Sequence, residues 1–305
     1  MKILLLGANG QVGFELQRSL APLGDVVPAT RSGTLPGGAA CERVDLYDAA
    51  SLRALCDLVA PQLIVNAAAY TAVDRAEDET ALAQQANGEA PGVLGTWAAA
   101  HAAAVVHYST DYVFDGAGQR PYREDDPTAP LGAYGLSKRA GELSLAASGA
   151  DHLNFRTAWV FAARGANFLR TMLRLARERD RLSVVADQRG APTPARLIAQ
   201  VTTCALARWL PLPDEARRAR SGHYHLVSAG ECSWHEFASQ IMVLAGAAGL
   251  IERLPEVAAI ATSDYPTKAR RPAYSVLDTH KLRDTFGLTL PHWQDGLRDV
   301  VGELV

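Results

Sequence analysis

Gly7-Ala8-Asn9-Gly10-Gln11-Val12-Gly13 follows the apolar run Ile3-Leu4-Leu5-Leu6 and leads into Phe14-Glu15-Leu16-Gln17-Arg18. A strand that ends in glycines spaced three apart and then gives way to a helical pattern is the setting in which such a motif has physical meaning. The glycines permit a tight turn and close backbone approach, and the N-terminus of the following helix faces a pyrophosphate. The turn therefore predicts nucleotide binding through Gly7, Gly10, Gln11, Val12 and Gly13, at the start of a parallel α/β sheet.

Outward from the turn, short apolar strands alternate with longer amphipathic or alanine-rich stretches, as a parallel sheet requires. The strands are expected at Ile3–Leu6, Val26–Ala29, Leu63–Asn66, Ala104–Tyr108 and Leu153–Arg156, with helices over Gly13–Ala21, Ser51–Val59, Thr80–Ala103 and Tyr134–Ala147. The Gly- and Pro-rich segment Thr34–Cys41 reads as a loop. After about Ala162 the rhythm changes. Helices are expected at Asn167–Arg179, Ala195–Trp209 and Trp234–Ala248 and within Thr279–Val305, and strands at Leu182–Ala186 and Tyr224–Val227. The fold class is α/β: a Rossmann-type doubly wound parallel sheet with a smaller, discontinuous substrate-binding domain. Residues 1–162, completed by about 195–230, form the dinucleotide-binding part; 163–194 and 231–305 form the other.

The second strand runs into Thr30-Arg31-Ser32, where a site for NAD usually carries an acid to hold the ribose hydroxyls. Two hydroxyls and a guanidinium suit a 2′-phosphate instead, so NADPH is the expected cofactor, with NADH as the alternative if Arg31 is a solvated loop cation. Asp45-Leu46 resembles the acid–hydrophobic pair that brackets adenine in such folds. Ala67-Ala68-Ala69-Tyr70-Thr71 follows Asn66 with small residues that admit the cofactor closely, which makes Ala68, Ala69, Tyr70 and Thr71 candidate contacts.

Tyr108-Ser109-Thr110-Asp111 falls at a strand's carboxyl end, the edge where open α/β sheets bind ligands. Tyr134 and Lys138, four apart on a helix, share one face. A free tyrosine titrates near ~10, and bringing it to ~7 takes roughly 4 kcal/mol of preferential phenolate stabilisation. A cation close by acts in that direction, so the expectation is that Lys138 lowers the Tyr134 pKa toward neutrality. A hydroxyl at Thr110, the phenol and the ammonium together form a set able to bind and protonate a carbonyl oxygen.

Composition narrows the field further. Hydrophobic content of 48% with 21% charged residues is ordinary for a water-soluble enzyme. A net charge of −3 gives no electrostatic reason to expect nucleic acid or a membrane surface as partner. The four cysteines form no Cys-x-x-Cys pair, as expected of buried thiols in a reducing, cytoplasmic setting. His223 and His225 share a strand face, but no third ligand stands near, so no zinc site is expected.

Gly7/Gly10/Gly13, Asn66-Ala67-Ala68-Ala69, Ser109-Thr110-Asp111 and Tyr134/Lys138 resemble the extended short-chain dehydrogenase/reductase superfamily. Gly10–Arg18, His107–Phe114, Phe155–Val160 and Asp187–Thr193 are more narrowly similar to the dTDP-4-dehydrorhamnose reductase family, along nearly the whole chain. That resemblance implies reduction of the 4-keto group of dTDP-4-dehydro-L-rhamnose to dTDP-L-rhamnose, a precursor of cell-surface polysaccharide such as lipopolysaccharide O-antigen. It implies hydride delivery from the nicotinamide, proton donation by Tyr134, polarisation by Thr110, and a nicotinamide-ribose contact from Lys138, beside Tyr108. Asp111 and Trp159 would position the sugar nucleotide, and Asn87 would support the cofactor pocket. Arg271, in a polar loop, reads as a diphosphate partner or as a solvated cation. In the related 4,6-dehydratases an Asp-Glu pair follows the threonine; here Asp111-Tyr112 stands, which favours simple carbonyl reduction. Two alternatives stay open: reduction of another dTDP-4-keto-6-deoxyhexose, and a non-catalytic NADP-binding regulatory subunit. The family is associated with Mg²⁺, for which Glu15 is a candidate ligand. Arg196 stands where the family tends to carry an acid, however, so the expectation is no metal ligand set and a monomer or homodimer.

Overall fold

A computed structural model describes residues 1–305. In chain order the strands are β1 (Lys2–Leu6), β2 (Asp25–Thr30), β3 (Glu42–Arg43), β4 (Leu63–Asn66), β5 (Ala104–Thr110), β6 (Asp151–Thr157), β7 (Val160–Phe161), β8 (Arg181–Val185), β9 (Arg189–Gly190), β10 (Thr193–Pro194), β11 (Gly222–His225), β12 (Cys232–Ser233) and β13 (Glu256–Ile260). Seven of them form one sheet in the order β11-β6-β5-β4-β1-β2-β3, with every pairing parallel. The order reverses between β1 and β4. Such a switch point opens a crevice beyond the carboxyl ends of the strands, and the fold is Rossmann-type.

Alternation along β1 builds a core on each face of the sheet. Ile3 and Leu5 pack with Leu16, Leu20, Ile198 and Trp209, so the helices Gln11–Leu20 and Ala195–Trp209 cover one side. Leu4 and Leu6 pack with Leu52, Leu55, Leu94 and Trp97 from the helices Ala49–Val59 and Ala90–Ala100 on the other. Being buried on both faces, β1 and β4 are continuous apolar runs. A further core gathers Phe161, Leu169, Leu173, Leu182, Phe237, Ile241, Trp293 and Leu297, beside the sheet's carboxyl edge. The helix Trp234–Ala247 starts there with a capping box between Ser233 and Glu236.

One local expectation changes, one strand is unforeseen, and the expected C-terminal helical stretch is in two pieces. The helix expected across Thr80–Ala103 is broken by a π-helical turn, Gln84–Glu89, before a new helix begins at Ala90 with Pro91 in its first turn; proline supplies no N–H there. Glu256–Ile260 is a strand, paired in parallel with β8. The C-terminal stretch contains two helices, His280–Phe286 and Trp293–Gly302, separated where Gly287 takes a left-handed φ of 59°.

Candidate active site

Gly7 has φ +75°, and a Cβ added there would lie 2.7 Å from the Ala68 amide nitrogen. At Gly13 a Cβ would collide with the Gly7 carbonyl oxygen. The helix that starts at Gln11 has no side-chain cap, so its first N–H groups are left for another acceptor. A backbone nest with free donors fits a pyrophosphate. The cleft it opens into measures about 550 Å³ and is lined along the strand ends by Gly7, Thr30, Ala67, Tyr108, Ser109 and Thr157. Thr157 Oγ1 is buried without a hydrogen-bond partner, as a group reserved for a ligand would be. A hollow of about 660 Å³ elsewhere is lined only by polar and charged residues such as Arg123, His223 and Lys281, and shares no lining residue with the cleft; it has neither the glycine turn nor the strand ends.

The cleft brings together most of the cofactor residues read from sequence. Gly7, Gly10, Gln11, Val12, Thr30, Arg31, Asp45, Leu46, Ala68, Ala69, Thr71, Tyr108, Tyr134 and Lys138 all line it. Gly13 lies beneath the turn, and Ser32 bonds to Thr34 in the neighbouring loop. Tyr70 departs from expectation. Its ring is buried and its hydroxyl donates to Glu79 at 2.7 Å, while the Asn87 side chain bonds both its N–H and its carbonyl. Those bonds turn it away from the cleft. Lining residues that sequence reading passed over include Asn9, inside the glycine turn, and Gly165-Ala166. That segment is drawn across the first helix by Asn167 donating to Gln11 (2.8 Å) and by the Arg164 guanidinium lying 3.3 Å over the Phe14 ring.

At the other end, the helix Ala133–Ala147 carries Tyr134 and Lys138 against β5. Lys138 Nζ is buried and donates to the Tyr108 carbonyl at 2.5 Å. Burial lowers its pKa to about 8, against the pull of Glu142. The expected depression of Tyr134 does not occur. Burial and then Asp111 push the phenol up to about 12, with the Thr110 hydroxyl opposing them. The ammonium's hydrogen bond goes to the strand backbone, and Lys138 is not among the groups that shift the phenol. Thr110 Oγ1 donates to Asp111 Oδ1 (3.0 Å) and accepts from the Tyr112 amide (3.2 Å). Burial raises the Asp111 carboxyl to about 6. Beneath these groups, Glu142 receives both Nε and a terminal nitrogen of Arg156 at 2.8 and 2.9 Å, both side chains being buried.

Trp159 has φ 48° and stacks on Trp234 with ring centres 3.6 Å apart. Gly190 packs beneath its indole, where a Cβ would meet the ring at 2.5 Å. Arg271 pairs with Asp74 at 2.7 Å. His223 and His225 engage Asn154 and the Asp278 carbonyl separately. Around Glu15 the residues do not fit a divalent cation. The Arg196 guanidinium lies between two carboxylates, 3.4 Å from Glu15 and 2.7 Å from Glu303. No cluster of three or more His, Cys, Asp or Glu side chains is arranged to hold a metal ion, and no helix is long and apolar enough to cross a membrane.

The family model described as the RmlD substrate binding domain matches residues 1–305. A dTDP-4-dehydrorhamnose reductase from Burkholderia thailandensis is 52% identical over 299 residues, with 96% of each chain covered. The crystal structure of a dTDP-4-dehydrorhamnose reductase from Clostridium acetobutylicum superposes with a TM-score of 0.87 at 33% identity, covering 100% of this chain and 99% of that one. A dTDP-4-dehydrorhamnose reductase from Bacillus anthracis in complex with NADP gives 0.84 at 31% identity, with 99% of both chains covered.

Proposed function

This chain belongs to the RmlD substrate binding domain family, and from that premise we propose that it reduces the 4-keto group of dTDP-4-dehydro-L-rhamnose with NADPH, giving dTDP-L-rhamnose for cell-surface polysaccharide. The observation that carries the reading is that Tyr134 and Lys138 line the same cleft as the glycine turn, which puts a proton donor and a cation within the reach of one dinucleotide. The similarity to dTDP-4-dehydrorhamnose reductases supports the substrate class, and the NADP complex of the Bacillus anthracis protein supports the cofactor.

In this reading the helix at Gln11 and the nest around Gly7 hold the pyrophosphate, and Thr30 and Arg31 accept the 2′-phosphate. Asp45 and Leu46 flank the adenine. The bound reduced nicotinamide supplies the hydride. Thr110 orients the sugar carbonyl and Tyr134 gives its proton to the C4 oxygen. A phenol at about 12 is protonated when the substrate binds and can pass its proton to the C4 oxygen as negative charge develops there in the transition state. Lys138 holds the ribose. Asp111, Trp159 and Arg271 line up the sugar nucleotide. Residues 1–162 with about 195–230 serve the cofactor, and 163–194 with 231–305 serve the sugar. The test is NADPH oxidation on adding dTDP-4-dehydro-L-rhamnose, with the product's configuration read by NMR. NADPH binding without oxidation would instead favour the regulatory-subunit reading, and a different C4 configuration another 6-deoxyhexose.

A further inference from the structure

His107, on β5 just before Tyr108, is 1% exposed and has no part in the reaction described above. Its Nε2 lies 3.5 Å from Lys138 Nζ, and its Nδ1 lies 3.2 Å from Asn66 Nδ2. Asn66 ends β4 and stands in register with His107. Asn66 Oδ1 accepts the Ala68 amide at 3.2 Å, which fixes the side-chain amide with its NH₂ toward the ring. Nδ1 must then accept, so in a neutral ring the hydrogen resides on Nε2. That N–H points at Lys138. An ammonium has donors only, so the contact is satisfied by a neutral amine and opposed by a charged one.

We propose that His107 is a positioning residue that sets the charge of Lys138. The Asn66–His107 pair favours the amine, and protonating Lys138 requires the ring to change tautomer and the Asn66 amide to turn over. Turning the amide removes the acceptor from Ala68 N–H, and Ala68 lines the cofactor cleft. The charge at the ribose end and a free donor on another wall of the cleft are thereby one equilibrium. Both states conserve atoms: a proton enters at Nζ, and the ring exchanges Nε2–H for Nδ1–H.

The surroundings leave Lys138 as the group that titrates. Burial, then Lys138, holds the His107 ring well below its usual pKa, and the other groups facing it are Glu142, His152 and His223. Glu142 is held low by Arg156, and burial keeps both histidines low. The inference rests on the cleft being a nicotinamide-dinucleotide site in which the lysine ammonium meets the ribose.

Long-range ¹H–¹⁵N NMR of ¹⁵N-histidine-labelled native protein tests it, with the resonance assigned through His107→Gln and through substitutions of the more exposed histidines. Without nucleotide, at a pH about one unit above the lysine's value of about 8, the ring should be the Nε2–H tautomer; with saturating NADP⁺ at the same pH it should become Nδ1–H. NADPH affinity of the native protein should fall as pH rises through about 8. In His107→Gln, whose side chain can offer an oxygen to the ammonium, the fall should move to higher pH by about half a unit or more. A purely structural role would weaken binding equally at every pH. An Nδ1–H ring in both states, or a folded variant whose pH profile stays in place, overturns the proposal. Should the variant not fold, the native tautomer still decides. Failure of the native protein to bind NADPH at any pH would sink the cofactor reading, while the nucleotide-free tautomer would still judge the Asn66–His107 arrangement.

Discussion

Tyr134→Phe deletes the one proton donor assigned to the reacting oxygen and leaves the glycine turn untouched. Turnover should fall by about 10²–10⁴-fold with NADPH affinity nearly unchanged, as steady-state kinetics and fluorescence titration would show; a variant within threefold of native kcat removes the phenol from this role. Arg31→Asp exchanges an anion partner for a ribose-hydroxyl acceptor. The ratio of kcat/KM for NADPH over NADH should therefore drop at least tenfold, about 1.4 kcal/mol; a ratio that stays put makes Arg31 a bystander. At this scale the sequence was informative where a role depends on local backbone. Gly7, Gly10, Gln11 and Val12 meet in the cleft because one turn carries them. Tyr70 and the Tyr134–Lys138 coupling were misjudged because long-range partners decide them: Glu79 and Asn87 turn Tyr70 aside, and the Tyr108 carbonyl takes the lysine's hydrogen bond.

Among elements, the helix Ala133–Ala147 is fixed to β6 by the buried pair Glu142–Arg156. Burial pushes the Glu142 carboxyl up, but the Arg156 hydrogen bonds and charge win and hold it at about 2. A free glutamate titrates near ~4.3, so the pair's contribution is complete above that pH and is lost as pH falls from there through about 2. Arg156→Met would leave the buried Glu142 carboxylate with only the partly exposed Arg139 guanidinium at 3.0 Å as partner and should cost up to about 3–5 kcal/mol. Adding Glu142→Leu should recover most of that loss, measured as urea midpoints at pH 7. Equal stability of the single and double variants would mean the charge is not what costs. The inner strands of the large sheet were legible from short apolar runs such as Ile3–Leu6 and Leu63–Val65, but β3, Glu42–Arg43, was not, because it is two charged residues whose strand character comes from pairing with β2. Glu256–Ile260 was not, since its strand character comes from pairing with β8. The π-turn at Gln84–Glu89 was not either, because Asn87 is held there by Tyr70 and Ser137, which no local pattern announces.

For the molecule as a whole, the guanidinium of Arg196 joins the first helix to Glu303 near the C-terminus. With a fixed cation already between those carboxylates, activity should survive EDTA, and sedimentation velocity should give the same species with and without Mg²⁺. Activity lost to chelation and restored only by Mg²⁺ would overturn this. The sheet also has a consequence for how the protein is made. β11 pairs with β6, yet the chain between them builds β7–β10 and two long helices before returning. At about 5–20 residues per second, a ribosome exposes an unpaired β6 edge for roughly 3–13 s before its partner is even synthesised. Slowing translation across residues 158–221 should therefore raise the share of nascent chain captured by chaperones or lost to aggregation, whereas the same slowing after His225 should not.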